Sequence, residues 1–318
     1  MRDALCVVEP GIGLAIQAVV QCLLALSAWL VLRVGRISLG QQAYFGLGGY
    51  AAAWLTTVAQ WPLDAALLAA TVQGALAAAL LGAPLLRLSG LRFAVATLAV
   101  GELVRLGLSA WRQRVPGRDG LPVGPDGIDG FRDIRWLFEH QVGQTEYLIV
   151  ASLLLALAVL GLLLLSRTRL GLAWQAIGHD EWLAASQGLP VQGLRLLALS
   201  LAGAIAALAG GLYAHQLTYL EPALFDPMLG VHAVGYAMLG GLATPIGPLL
   251  GAAFDLGLLE TTRWFEGWRM VLFGTLVALF LRWRPRGLLD EALTQRLLQQ
   301  GQALWRRHAP FSPASGRA

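Results

Sequence analysis

Long apolar runs recur along the whole chain, and they restrict its fold more than any other feature. Of the 318 residues, 57% are hydrophobic and 13% are charged, whereas ordinary soluble domains are about a quarter charged. Several runs approach or exceed the roughly 20 apolar residues that a helix needs to cross a bilayer. A membrane barrel would instead alternate apolar and polar residues in short segments, and these runs do not. The sequence therefore predicts an all-α polytopic membrane protein.

The apolar runs predict about nine transmembrane helices, within a range of about eight to ten. The first run, 11–32, is too long for the apolar part of a signal peptide, so we interpret it as a membrane helix. A cluster of proline and glycine within 243–260 indicates a broken helix or a tight helical hairpin. The other predicted crossings are 38–57, 63–86, 92–108, 147–165, 191–212, 229–241 and 268–281.

All 23 basic residues are arginine, and this composition excludes several kinds of chemistry. A phosphate-binding Walker A loop and a Schiff-base site both require a lysine. The net charge of +4 does not indicate nucleic-acid binding, because the arginines lie at the ends of apolar runs. The two cysteines, Cys6 and Cys22, and five scattered histidines lack metal-ligand spacing. We expect no metal, no cofactor and no nucleic acid on this chain.

The arginines gather at one set of run ends, which predicts the orientation through the positive-inside rule. The long polar loop 111–146 then faces outward, and its glycine and proline content predicts turns. We divide the chain into a transmembrane domain, 1–286, and a tail, 287–318, whose leucine spacing predicts an amphipathic helix in the cytoplasm. The arginines assigned to the cytoplasmic side are Arg33, Arg36, Arg87, Arg92, Arg167, Arg169, Arg195, Arg282, Arg284 and Arg286.

A polar interval, the 166–190 segment, separates two long apolar runs. Leu170, Trp174 and Ile177 follow the i, i+4, i+7 spacing of one helical face. Their spacing predicts a short amphipathic helix, which Gly178 could end in a left-handed conformation.

A second short helix is predicted directly after the first. Asp180 can cap its start through the carboxylate, and Gly188 followed by Pro190 ends it. Two interpretations remain open for this helix pair: a solvated connector, or a surface on which a partner protein docks. The residues predicted to couple this segment to a partner are Arg167, Arg169, Leu170, Trp174, Ile177, Asp180 and Glu181.

Small residues recur inside several runs. In membrane helices such residues allow close backbone packing. The match of Gly46, Gly48 and Ala51 to a dinucleotide-binding pattern is therefore interpreted as helix packing, because no strand precedes it. The other predicted packing sites are Gly203, Gly210 and Gly211, and the pair Gly247 and Gly251.

Polar side chains within apolar runs are candidates for a solute path. Gln41 and Gln42 either bond to neighbouring helices or line such a path. Glu102 and Arg105 are three residues apart and can pair, either as a structural ion pair near the interface or as transport residues. The predicted path residues are Gln41, Gln42, Tyr44, Phe45, Thr97, Glu102 and Arg105.

Four stretches together resemble the permease subunits of the branched-chain amino acid ABC importer family, which also includes urea and short-amide importers. They span most of the chain in the order found in that family. The stretches are ISLGQQAYFGLGGYAAAWL at 37–55, LSGLRFAVATLAVGELVR at 88–105, RTRLGLAWQAIGHDEWLAASQGLPV at 167–191, and LAGAIAALAGGLYAHQLTYLEP through MLGGLATPIGPLLGAA at 201–253.

The resemblance implies a helical permease in the bacterial cytoplasmic membrane. It would pair with a second, similar permease, two cytoplasmic ATPases that bind ATP and Mg, and an external solute-binding protein. The 166–190 segment falls where the family docks its ATPase. The chain departs from the family at PGRDGL, 116–121, and at Trp182, where a charged residue is common.

The implied function is ATP-driven import of branched-chain or other amino acids, or of urea or amides. An ion-driven secondary transporter should instead carry ionisable residues at mid-membrane in matched repeats, and Asp255 alone comes near that pattern. A membrane enzyme would need clustered histidines, paired acids or an activated nucleophile, which the sequence does not offer.

Overall fold

The computed structural model describes residues 10–116 and 122–261, together with the single positions 271, 274, 275, 278, 279 and 282. The helices are α1 Pro10–Arg33, α2 Gln41–Thr57, α3 Leu63–Leu85, α4 Leu91–Ala110, α5 Trp136–Glu139, α6 Gln144–Ser166, α7 Arg169–His179, α8 Glu181–Ser186, α9 Val191–Leu217, α10 Pro227–Gly240 and α11 Gly247–Thr261. The strands are β1 Val115–Pro116, β2 Pro122–Pro125 and β3 Phe131–Arg132, and short 3-10 turns lie at Gly127–Asp129 and Pro222–Phe225.

Among the described residues, five helices are long and apolar enough to cross a membrane: α1, α3, α4, α6 and α9. The predicted all-α polytopic membrane fold is confirmed. Helices α2, α10 and α11 have 17, 14 and 15 residues, fewer than the roughly 20 of a full crossing. The predicted crossing 268–281 lies mostly outside the described residues, and the predicted tail helix 287–318 lies wholly outside them. The count of about nine therefore stays a prediction.

Helix α9 lies at the centre of the bundle and packs against α1, α2 and α3. Glycines make this possible, because a side chain at Gly203 would meet the backbone of Gly74 on α3. Gly210 lies in the same way against the Phe45 carbonyl of α2. The small-residue packing predicted for this run is confirmed, since backbones approach closely only where side chains are absent.

Helices α10 and α11 form the predicted tight hairpin. A turn beginning at Gly241, which has φ of 100°, reverses the chain. Gly247 then packs on the Gly240 backbone and Gly251 on the Tyr236 backbone. The first two turns of α11 can approach α10 because these positions lack side chains.

Loop 111–146 contains a small antiparallel sheet in the order β1-β2-β3. Val115 lies opposite Val123, and Gly124 lies opposite Arg132. Phe131 also exchanges backbone hydrogen bonds with Leu220, at 2.7 and 2.9 Å. The sequence predicted turns here and not a sheet, because strands of two to four residues are too short to produce a readable alternation.

Candidate functional site

Two helices form within the 166–190 segment, as predicted. Thr168 caps α7, accepting a hydrogen bond from the Gly171 amide at 3.4 Å. The Asp180 carboxylate accepts from the amides of Trp182 and Leu183, at 2.9 and 3.0 Å, and so begins α8. The predicted capping by Asp180 is confirmed.

The predicted end of α7 at Gly178 is wrong. The helix continues to His179, and Asp180 follows in an extended conformation with φ of −151° and ψ of 108°. Gly178 serves packing instead, because a side chain there would collide with the Arg33 carbonyl at the end of α1. The requirement for glycine at this position comes from a contact distant in sequence and not from a local turn.

The apolar face of α7 points into this chain. Trp174 and Ile177 are buried, and the Trp174 indole N–H donates to the Leu194 carbonyl at 2.9 Å. Leu170, the third residue of the predicted face, is 39% exposed. The buried pair therefore attaches the segment to the bundle, and its surface for a partner must be formed by other side chains.

Exposed apolar side chains on the same segment were not identified from the sequence as a group. Trp182 is 85% exposed, and Leu172 and Leu183 are also exposed. Arg167, Arg169 and Asp180 are exposed near them in sequence. A tryptophan within a polar interval of the sequence can indicate a binding surface, because large aromatic residues are enriched at interfaces. The sequence therefore contained a signal for this surface in Trp182.

Glu181 faces the bundle and bonds to two arginines. Its carboxylate accepts from both terminal nitrogens of Arg195, at 2.6 and 3.0 Å, and lies 3.7 Å from Arg36. Arg195 and Arg36 are buried, with 2% and 6% of their side chains exposed. The Arg195 hydrogen bonds, together with the positive charges of both arginines, lower the pKa of Glu181. The sequence placed both arginines on this side of the membrane but gave no indication that they share one carboxylate.

The predicted path residues on α2 are buried at the start of that helix. Gln41 accepts a hydrogen bond from the Ser27 hydroxyl at 2.7 Å, whereas the two polar atoms of the Gln42 side chain have no partner within the described residues. Tyr44 and Phe45 are also buried. Gln42 fits beside Gly101 on α4 and Gly230 on α10, where side chains would collide with its amide. The start of α2 is therefore a polar junction of three helices.

Thr97 joins α4 to the α1–α2 connection. Its hydroxyl accepts from the Leu39 amide at 3.0 Å and donates to the Ala94 carbonyl at 2.8 Å. The hydroxyl is satisfied by backbone groups, which is the structural role that Ser and Thr often have inside membrane bundles.

Glu102 and Arg105 form the predicted ion pair on α4. The Arg105 Nε donates to both carboxylate oxygens, at 3.0 and 2.9 Å, and both side chains are partly exposed. Gln42 lies against Gly101, the residue next to Glu102. The structure thus brings the pair near the α2 junction, and its part in transport stays a prediction.

Asp255 is buried on α11, where it accepts a hydrogen bond from the Tyr236 hydroxyl at 2.8 Å. Within residues 10–116 and 122–261, no group of three or more His, Cys, Asp or Glu side chains could hold a metal ion.

Comparisons with known proteins agree on one family. The model of the branched-chain amino acid transport system permease component matches residues 12–281. The high-affinity branched-chain amino acid transport system permease protein LivM of Salmonella typhimurium strain LT2 is 29% identical over 310 residues, which cover 92% of this chain and 73% of LivM. LivM of Escherichia coli K12 is 30% identical over 285 residues, covering 85% and 67%.

A relative with a different described cargo also matches. The autoinducer 2 import system permease protein LsrC of Enterobacter sp. strain 638 is 30% identical over 310 residues, covering 92% of this chain and 81% of LsrC. No solved structure matches the chain.

Proposed function

The chain belongs to the branched-chain amino acid transport system permease family, and from this premise we propose that it is the membrane subunit of an ATP-driven importer of branched-chain or other amino acids. As an importer permease it is a multi-pass transport subunit of the inner membrane and does no bond chemistry. The observation that carries the proposal is the 166–190 segment, which is anchored to the bundle on one side and exposes apolar side chains on the other.

ATP hydrolysis is assigned to a partner chain. This sequence contains no lysine, and the phosphate-binding loop of such ATPases requires one. We propose two cytoplasmic ATPases that bind ATP and Mg, a second, similar permease, and an external protein that delivers the solute. Loop 111–146 would face that protein, and the 166–190 segment and the C-terminus would face the cytoplasm.

The surface that meets the ATPase is formed by Leu172, Trp182 and Leu183, with Arg167 and Arg169 near them. Apolar and aromatic anchors supply most of the binding energy in interfaces, while charged residues around them guide association. Trp174 and Ile177 lie on the buried side of α7, where they fix this helix to the rest of the chain.

The solute path is assigned to the junction at the start of α2. The Gln42 amide is buried, its polar atoms have no partner among the residues that the structure describes, and a buried polar group without a partner is costly. Such a group gains a partner when helices shift or when a polar solute passes. ATP binding and hydrolysis in the partner would bias the bundle between outward-facing and inward-facing states.

The class of transporter is tested by isolating the protein from its own host in mild detergent. We expect ATPase subunits with a Walker A lysine to be recovered with it, and we expect solute uptake into proteoliposomes to require ATP. Recovery of the chain alone, with solute movement that needs no ATP, would contradict the proposal and make Asp255 and Glu102 the next residues to test.

The solute is tested in the same proteoliposomes with a panel of leucine, other amino acids, urea, short amides and autoinducer 2. Similarity to LivM favours a branched-chain amino acid, and similarity to LsrC is the reason to include autoinducer 2. If another class of solute in the panel is taken up and leucine does not compete with it, that class is the cargo and the proposed amino acid is not. The ATP-driven mechanism would still hold.

The docking surface is tested by Trp182→Ala, with Trp61→Ala as the matched control. Both tryptophans are exposed, but Trp61 follows α2 on the opposite side of the bundle. Loss of a buried interface tryptophan should reduce the ATPase recovered by about tenfold or more. Equal recovery with both variants would remove Trp182 from the interface.

A further inference from the structure

We propose that Glu181 transmits movement of the 166–190 segment to α9 and to the α1–α2 connection. Glu181, Arg195 and Arg36 together are called the Glu181 clamp. In this role Glu181 is a positioning residue that acts within the chain, and the ATPase contact belongs to the exposed face. The inference rests on the proposed function, because it assumes that an ATPase moves the segment.

The first link of the clamp crosses the turn that joins α8 to α9, which is called the hinge. Helix α8 ends at Ser186, and α9 begins at Val191. Between them Gly188 has φ of 81°, a conformation that glycine adopts at little cost. This glycine lets the chain change direction within four residues, so contacts across the turn help to set the angle between α8 and α9.

The two-bond contact of Glu181 with Arg195 spans this hinge. Glu181 is the first residue of α8, and Arg195 lies in the second turn of α9. Both carboxylate oxygens are bonded, at 2.6 and 3.0 Å, and paired bonds of this kind fix orientation as well as distance. Helices α8 and α9 are therefore held as one unit across the turn that joins them.

The second link reaches the end of α1. Arg195 Nε donates to the Val34 carbonyl at 3.3 Å, and Arg36 lies 3.7 Å from Glu181. Close to this link, Gly35 packs against the Gly178 backbone. The connection that follows α1 is thus bonded to both sides of the hinge.

A parallel contact extends the same unit to the α10–α11 turn. Arg33 donates to Gln175 of α7 at 3.2 Å, and to the carbonyls of Leu242 and Ala243 at 2.8 and 2.9 Å. A displacement of the 166–190 segment therefore reaches the cytoplasmic ends of α1, α9 and the α10–α11 hairpin together.

Because of its position, α9 can carry this movement to the polar junction at the start of α2. Helix α9 packs along α1, α2 and α3, and its contacts with α2 lie close to the polar junction assigned to the solute path. Moving α9 as a rigid element therefore shifts α2, which is one of the three helices that form that junction. Removal of Glu181 would leave the buried Arg195 without its carboxylate, and an uncompensated buried charge is unfavourable.

The decisive experiment measures transport and ATP hydrolysis together in the complete complex in proteoliposomes. For Glu181→Gln we expect ATPase recovery and ATP hydrolysis close to wild type, with solute moved per ATP reduced by roughly tenfold, a typical size for the coupling between two sites. Glu181→Asp keeps the charge but is shorter, so its reduction should be smaller. Asp64→Asn, at an exposed carboxylate in the first turn of α3, makes the same charge change and should behave as wild type.

Trp182→Ala distinguishes the two roles within the segment. Trp182→Ala should lose the ATPase. Glu181→Gln should retain the ATPase and hydrolyse ATP, but it should move less solute for each ATP hydrolysed. If Glu181→Gln loses the ATPase as Trp182→Ala does, or moves wild-type amounts of solute per ATP, the inference is wrong. Failure of the proposed function is a separate outcome, because the wild-type complex would then show no dependence on ATP.

A measurement on the otherwise unchanged chain covers the case in which the Glu181 variants do not fold. Spin labels on the exposed positions Gln187 and Ile37 report the distance across the clamp, with and without ATP. We expect this distance to stay constant while the distance from Gln187 to Leu153 of α6 changes. A changing distance across the clamp would overturn the inference.

Discussion

Helices α6 and α9 are both long and apolar, yet they occupy opposite environments. In their most apolar 18-residue stretches, 11% of α6 is buried against 56% of α9, although α6 is the more apolar of the two. Helix α6 exposes leucines such as Leu153, Leu157 and Leu160. Helix α9 places alanine and glycine against its neighbours.

The difference teaches that in a membrane bundle apolar character does not decide which helix is central. Lipid tails are as apolar as leucine, so little is gained by moving a leucine-rich helix inward. Close backbone contact and dispersion are gained where side chains are small. Helix α9 is central because its neighbours can approach it, and α6 stays at the edge because its leucines keep them away.

The largest effect should come from adding bulk to a glycine of each helix. Gly203→Leu on α9 would collide with Ala78 and the Gly74 backbone, whereas a Cβ added at Gly161 of α6 meets no atom of the described residues within 4 Å. We expect Gly203→Leu to lower the free energy of unfolding by about 3 kcal/mol or more, and Gly161→Leu to leave it unchanged or raise it slightly. Thermal unfolding in detergent measures both, and equal tolerance would contradict the explanation from packing.

The second pair of variants makes one leucine of each helix smaller. Leu199 of α9 is buried and fills the space over Gly82 of α3, whereas Leu157 of α6 is exposed. Leu199→Ala should cost about 2 kcal/mol by leaving a cavity. Leu157→Ala should stay within about 0.5 kcal/mol of wild type. Similar losses in the same unfolding measurement would mean that a partner covers α6.

One hydrogen bond joins the two helices directly. The buried Tyr147 hydroxyl of α6 donates to the Leu212 carbonyl of α9 at 2.6 Å. Tyr147→Phe keeps the ring and removes this bond, so we expect a loss of about 1 kcal/mol. Tyr219→Phe is the control, because the half-buried Tyr219 hydroxyl makes longer hydrogen bonds, to Asp129 at 3.4 Å and to Glu221 at 3.3 Å. An equal or larger loss with this variant would contradict a special contribution of the bond between α6 and α9.

The smallest effect concerns pH, and it distinguishes the start of α9 from the end of α6. The pKa of Glu181 is lowered, so its stabilising contribution is complete above the ordinary value of about 4.3 and is lost as the pH falls through the lower folded value. Hydrogen exchange at α8 and the start of α9, corrected for intrinsic rates, should be constant from about pH 8 to 5 and rise below about 4. The end of α6 should show no such step, and Glu181→Gln should abolish the step in α8.

Short-range features of this protein followed from its sequence. The apolar runs determined the helical membrane class, and the three-residue spacing determined the pair of Glu102 with Arg105. The Asp180 cap was predictable because its partners, Trp182 and Leu183, are two and three residues away. Each of these features depends on neighbours that the sequence itself places close together.

Long-range features were decided by the tertiary structure. The sequence did not indicate that Trp174 and Ile177 face this chain, that Phe131 pairs with Leu220, or that α9 is central. Glu181 carried no sign of Arg195 or Arg36, which are 14 and 145 residues away in sequence. Apolar runs and local spacing determine which helices form. Packing in three dimensions decides which backbones can touch, and therefore which charges meet.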